Sequence, residues 1–357
     1  MKQLLITLSL IALAGYAIAA APVVSNVVAT PSAGQVTISY DLAADTDCAV
    51  TLLISADNGV SYNDIPPTAV SGDIGNSVTV GNGKQIIWHP AGDGMAVGTD
   101  YKAKVIARDN PYPVALVEGG TFNNGTSDVT LSSFYMDKYE ITQAEYQAVM
   151  GVNPASGYGV GSNYPVYYVS WFNAIEYSNR RSLQEGLTPC YSYSTYGTNP
   201  DNWPAGWNSS NTNHTNVSCN WTANGYRLPT EMEWQFAARG GNQTHNYTYS
   251  GSNDLNAVGW YNSNSSGTTH TVGTKAANEL GTFDMSGNVW EWVWDIYGSY
   301  PSGSQNNPTG ANSGSYRVLR GGGWDSDANY CTVSLRDIFS ATFSAADVGF
   351  RCVRVSP

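Results

Sequence analysis

The sequence predicts two domains, an all-β sandwich followed by a larger α+β domain of low regular secondary structure. Three observations predict it. Short apolar runs with period-two alternation, separated by turn residues, fill residues 22–108. Pro111 and Pro113 then interrupt the chain and stiffen a junction. Beyond them lie short stretches with helix-capping signatures, one strand of tryptophans, and long loops rich in glycine and asparagine.

Composition bounds the function classes. The chain has 357 residues, enough for two hydrophobic cores. It carries 16 Lys and Arg against 28 Asp and Glu, a formal net charge of -12. Nucleic acid is excluded as a partner, because a phosphate-binding face needs clustered Lys and Arg. The 24 tyrosines and 11 tryptophans exclude a disordered chain. Residues 1–20 read as a secretory signal peptide: Lys2, an apolar run from Leu4 to Ala14, then the small-x-small site Ala17-Ile18-Ala19. No later stretch reaches the roughly 18 consecutive apolar residues of a membrane span, so the expected location is secreted, periplasmic or cell-surface, with no integral membrane segment. Five cysteines would leave at least one thiol unpaired, or paired between molecules, in an oxidising compartment.

Over residues 21–110, Val36, Ile38 and Tyr40 alternate with polar residues, Ala49 to Ile54 is apolar, Gln85 to Trp88 is short, and Tyr101, Ala103, Val105 and Ala107 alternate again. The turns Ser32-Ala33-Gly34, Ala56-Asp57-Asn58-Gly59 and Gly81-Asn82-Gly83 accept positive φ. This stretch resembles an immunoglobulin-like or fibronectin type III module, which implies a spacer or stalk.

In residues 114–357, Thr142 and Glu145 form a capping box, predicting a helix to about Met150 that stops at Gly151. Ser170 precedes a second helix, from Trp171 to about Leu183. Thr230 and Glu233 cap a third, which Gly240 ends. Between Thr188 and Trp221 lies a polar insertion; a disulfide joining Cys190 to Cys219 would staple it, contributing about 3–4 kcal/mol. In the stretch from Gly287 to Asp295, Trp290, Trp292 and Trp294 alternate, so one face of a strand is large and apolar while Glu291 and Asp295 lie on the other. An enclosed acid needs an arginine or a metal, and Arg227 and Arg239 are candidates to meet Glu231, Glu291 or Asp295. His89, His214, His245 and His270 sit in polar surroundings and are expected to be solvated. No Ser-His-Asp order, phosphate loop or dinucleotide fingerprint is present.

Six strings carry a resemblance: Glu140-Ile141-Thr142-Gln143-Ala144-Glu145-Tyr146; Pro165-Val166 with Val169-Ser170-Trp171; Arg227-Leu228-Pro229-Thr230-Glu231-Met232-Glu233-Trp234; Asn278 to Trp292; Arg317-Val318-Leu319-Arg320-Gly321-Gly322-Gly323-Trp324; and Gly349-Phe350-Arg351-Cys352-Val353-Arg354. In this order they resemble the formylglycine-generating enzyme, or sulfatase-modifying factor, family. The resemblance implies an irregular α+β fold related to C-type lectins. It also implies a structural calcium held by the Asn278 side chain and the backbone oxygens of Glu279, Gly281 and Phe283, hard ligands of the kind calcium takes. The family's enzymes bind copper through two cysteines and oxidise a sulfatase cysteine to formylglycine. The second cysteine matches Cys331 and the first matches Ser326, whose hydroxyl is a poor copper(I) ligand. Cys331 is therefore the catalytic residue, and copper the cofactor, only if the chain is an oxidase.

The C-terminal frame is also similar to the variable region of retroelement-diversified proteins. That implies a ligand-binding face of Trp324, Asp325, Ser326, Asp327, Tyr330, Leu335, Asp337, Phe339 and Phe343, aromatics among small polar residues. The preferred expectation is a secreted or surface binding protein that displays this face to a protein or glycan. The alternatives are a copper- and oxygen-dependent protein-cysteine oxidase with an altered cysteine site, and a structural envelope component.

Overall fold

A computed structural model describes residues 22–32, 34–44, 48–55, 63–64, 69–93, 102–109 and 113–356, so the expected signal peptide, the turn at 56–59 and residues 110–112 of the junction lie outside the described residues. The chain divides into two units, Met1–Asn110 and Pro111–Pro357.

The first unit is all β: β1 (Val23–Ser32), β2 (Gln35–Ala43), β3 (Cys48–Ser55), β4 (Asn63–Asp64), β5 (Val70–Gly72), β6 (Gly75–Val78), β7 (Gly81–Trp88) and β8 (Lys102–Asp109). One antiparallel sheet runs β1-β2-β7-β5 and a second runs β4-β3-β6, with β8 also on β3. Alternate residues point inward from both sheets. Ile38 and Tyr40 of β2, Leu52 and Ile54 of β3, Ile86 and Trp88 of β7 and Val105 of β8 share one core.

The second unit contains β9 (Val114–Val117), β10 (Gly120–Asn123), β11 (Asp128–Leu131), β12 (Phe134–Asp137), α1 (Gln143–Met150), α2 (Trp171–Gln184), β13 (Tyr191–Tyr193), β14 (Val217–Cys219), α3 (Glu231–Ala238), α4 (Leu255–Val258), β15 (Trp290–Ile296), β16 (Gln305–Asn306), β17 (Arg317–Arg320), β18 (Asp337–Phe339), β19 (Val348–Gly349) and β20 (Val353–Val355). The three expected caps form: Thr142, Ser170 and Thr230 each accept from the N3 backbone while the N3 side chain bonds back. Gly151 and Gly240 take the left-handed conformation that stops the helices before them. The sheet β20-β12-β9 brings the end of the chain back beside the start of the unit.

The central sheet is β18-β17-β15-β19. Its tryptophan strand is enclosed on both faces, not one. On the first face Trp292 donates to the Val169 carbonyl at 3.0 Å, and Trp171 of α2 donates to the Val293 carbonyl at 3.1 Å. On the second, helix α3 covers the acids: the Trp234 indole donates to Glu291 at 2.9 Å, and the Glu231 backbone N–H donates to Asp295 at 2.7 Å. An arginine other than those expected serves Glu291. Glu291 is clasped by Arg351 through Nε and Nη2, each at 2.8 Å, with both side chains fully buried. Arg227 instead grips Glu233 within its own cap, and Arg239 donates to the Asn123 carbonyl. The remaining Arg351 donors reach the carbonyls of Asp137, Lys138 and Phe283.

The insertion is part of the core. Trp203 and Trp207 bury themselves with Tyr193 and Phe172. The expected disulfide is absent: Cys190 and Cys219 are free thiols. The ladder pairs Tyr191 with Cys219, and the Asn220 N–H donates to the Cys190 carbonyl, so the two cysteines leave the ladder on alternate faces. Nor is His214 solvated. It is buried beside Arg317, and burial first, then that guanidinium, pulls its imidazole down to about 4. His270 stacks on Trp260 at 3.7 Å between centroids.

Removing one member of the buried Arg351–Glu291 pair strands the other charge. Glu291→Gln and Arg351→Met should each cost about 3–5 kcal/mol in denaturant unfolding followed by tryptophan fluorescence. A loss below about 1 kcal/mol in both would show that the pair is dispensable.

Candidate functional site

The C-terminal segment leaves β17 over buried arginines. Arg320 donates to the carbonyls of Val333, Ser334 and Leu335, pinning the middle of the segment to the sheet. Gly322, at φ 78°, lets the chain turn over Cys331: a Cβ there would lie 2.6 Å from its sulfur. Trp324 is buried and acts as a floor, its indole donating to the Ala346 carbonyl at 3.1 Å and its ring stacked under Tyr158 at 5.1 Å. This corrects its expected place on the binding face.

Above that floor Asp325 and Asp327 are exposed, Ser326 is half-buried, and Tyr330 is 42% exposed with its ring edge toward Trp290. Further along, Leu335, Asp337, Phe339 and Phe343 are half-buried, the two phenylalanines stacked at 3.9 Å. Burial first, then the neighbouring Asp325 carboxyl, with which it shares a hydrogen bond, pushes Asp347 up to about 7; Asp337 adds to this from the other side. The face thus sets the Asp347 carboxyl close to that of Asp325. Asp347 and Tyr158 belong to it and carry no motif of their own. The one sequence signal is that Asp347 directly precedes the Val348-Gly349-Phe350-Arg351 frame.

Ser326 and Cys331 do not form a matched pair. The Ser326 hydroxyl accepts from the Gly323 N–H at 3.0 Å. Cys331 is buried among Leu255, Val258 and Tyr249, and burial, then Asp325 and Asp327, pushes its thiol up to about 12. A thiol held protonated in an apolar pocket is a poor nucleophile.

Residues 103–356 match the sulfatase-modifying factor enzyme 1-like domain family. The chain belongs to this family. Among its relatives, a protein of Paenibacillus barcinonensis named "Chaperone protein LppX" is 41% identical over 263 residues, covering 68% of this chain and 89% of that one. The formylglycine-generating enzyme of Mus musculus is 28% identical over 296 residues, covering 68% of this chain and 76% of that one. Among solved structures, Treponema denticola variable protein 1 superposes with a TM-score of 0.62 at 32% identity, covering 70% of this chain and 96% of that one. CarF superposes with a TM-score of 0.55 at 28% identity, covering 69% and 99%. The fold is the irregular α+β, C-type-lectin-like one expected.

Against this sulfatase-modifying factor background the metal sets can be judged by their donors. One buried thiol and one serine hydroxyl do not fit copper, whose cuprous state takes soft thiolates. The Asn278, Glu279, Gly281 and Phe283 set does not fit calcium in this arrangement. The Asn278 amide oxygen already accepts from Leu280 N–H, Thr282 N–H and Thr282 Oγ1 at 2.9–3.2 Å, and its Nδ2 donates to the Ala237 carbonyl and Ser250. The Phe283 carbonyl accepts from the Arg351 guanidinium at 2.8 Å, and a dication there would face that positive charge. Asn278 closes the 278–282 turn by hydrogen bonds.

Asn278→Ala should therefore lower stability by about 1–3 kcal/mol, equally in calcium and in chelator. Thermal unfolding in both buffers checks this, and a wild-type transition that rises in calcium and loses the rise on substitution would restore the metal reading.

Proposed function

We propose that this protein is an extracytoplasmic binding protein whose sulfatase-modifying-factor head displays Asp325, Ser326, Asp327, Tyr330, Leu335, Asp337, Phe339 and Phe343 to a protein or glycan ligand, with the all-β unit as its stalk. The observation that carries this reading is Ser326. Where an oxidase of the family needs a thiolate, this chain has a hydroxyl engaged with the Gly323 N–H, and the partner thiol at Cys331 is buried and held protonated.

Two of the relatives carry names that suit a binding role. The Treponema denticola protein is named a variable protein, and the Paenibacillus barcinonensis protein is named a chaperone. The face has the composition of an adaptable recognition surface: stacked phenylalanines and a partly exposed tyrosine among aspartates and serine, resting on a buried tryptophan.

Copper(I) titration with oxygen-uptake measurements on a cysteine-containing peptide tests the choice between binder and oxidase. The expected outcome is no stoichiometric copper binding and no peptide oxidation above the protein-free rate. One equivalent of copper bound with oxidation of the peptide cysteine would overturn the reading and return the chain to the oxidases.

A further inference from the structure

Tyr158, in the loop between α1 and α2, is an exposed aromatic residue that the chain holds in place. Its N–H donates to the Tyr167 hydroxyl at 2.9 Å, and that hydroxyl donates to the Gly159 carbonyl at 3.2 Å. The Tyr158 carbonyl accepts from both the N–H and the hydroxyl of Thr269. Gly159, at φ 84°, lets the loop close this tightly: a Cβ there would lie 2.4 Å from the Thr269 hydroxyl oxygen and 2.7 Å from the Tyr164 ring. One face of the Tyr158 ring lies on Trp324 with 25° between the planes, yet the residue is 39% exposed. The stacking leaves the opposite face to solvent. A ring held by its backbone and backed by a second ring has little freedom left to lose when a ligand binds.

The groups beside the ring are polar and of both hydrogen-bonding senses. Asp325 follows Trp324 directly and is exposed, and the Asp347 side chain packs against Gly323. Asn262 joins them: its N–H donates to the Ser326 carbonyl at 3.0 Å and its exposed amide reaches Asp327 at 3.4 Å. Carboxylates only accept, whereas the serine hydroxyl and the asparagine amide also donate. A matching ligand needs a C–H surface for the ring, whose face carries partial negative charge, with donors and acceptors around its edge. A pyranose has all of these. An arginine side chain could stack and meet the carboxylates, but it has no acceptor for the donors, and exposed ion pairs add little.

We propose that Tyr158 and the rim of Asp325, Ser326, Asp327 and Asn262 form a subsite for a neutral pyranose, with a C–H face of the sugar on the Tyr158 ring and its hydroxyls on the rim. The inference rests on the binding function proposed above and names a glycan as its ligand class.

Calorimetric titration of the full chain with four neutral trisaccharides, N-acetylchitotriose, cellotriose, maltotriose and mannotriose, tests it, with N-acetyl-arginine methylamide as the guanidinium control. At least one trisaccharide should bind saturably and more tightly than the control. Tyr158→Ala should weaken that binding about ten-fold or more, and Tyr158→Phe, which keeps the ring, should restore it. Asp325→Ala, at an exposed position, should weaken it as well and decides the matter if Tyr158→Ala does not fold, which near-ultraviolet circular dichroism checks. Absence of saturable binding by all four sugars, full affinity in both folded alanine variants, or tighter binding of the guanidinium than of every sugar would overturn the proposal. Such a failure without copper uptake or peptide oxidation assigns the face to a protein ligand; copper uptake with peptide oxidation overturns the binding function itself.

Discussion

Arg351 and Glu291 hold the head together from its centre. Glu291 sits on the central strand, and Arg351 arrives two residues after β19, whose parallel pairing sets Gly349 beside Glu291. The same guanidinium bonds the carbonyls of Asp137, Lys138 and Phe283, so one side chain joins the end of the chain, its first strands in this unit and the turn before the tryptophans. A fold with short strands and long loops has few continuous ladders to enforce its topology. Arginines that join carboxylates and carbonyls of distant segments supply that enforcement here, because each leaves an uncompensated charge if its loops part. Arg181 on Asp137, Arg320 under the C-terminal segment and Arg336 on Glu231 repeat the device.

That arrangement separates support from display. The C-terminal segment is held through its backbone carbonyls by Arg320 and by the buried Trp324, while most of its other side chains are exposed or half-buried. A backbone-held segment tolerates side-chain change, which suits a recognition surface more than a catalytic centre that needs fixed ligands at fixed distances. The serine at position 326 is consistent with that division: its hydroxyl supports the turn at Gly323 instead of presenting a reactive thiol.

Local chemistry made much of this legible in the sequence. The three capping boxes depend on residues three apart, so Thr142, Ser170 and Thr230 announce their helices. The alternation of Trp290, Trp292 and Trp294 announces the strand. Long-range pairing was not legible. Arg351 is 60 residues from Glu291, and nothing near Arg227 or Arg239 reveals that each is occupied elsewhere. Helix α3 covers the acids of β15, so the face expected to need only a partner is buried as well. His214 lies in polar sequence yet is buried, because flanking polarity does not report a cover such as Arg317 that comes from a distant segment; Trp324, placed on the face by the resemblance, is covered by Tyr158.

The central claim is that a scaffold pinned by buried arginines carries a face that can change without it. Replacing Asp325, Ser326, Asp327, Tyr330, Leu335, Asp337, Phe339 and Phe343 together with asparagine, and following thermal unfolding by circular dichroism, tests this most directly. The account predicts that the multiple variant keeps a native spectrum and a cooperative transition, at a temperature lowered by the loss of the half-buried Leu335, Phe339 and Phe343 side chains. A variant with no cooperative transition would contradict it, because the face would then be part of what holds the fold.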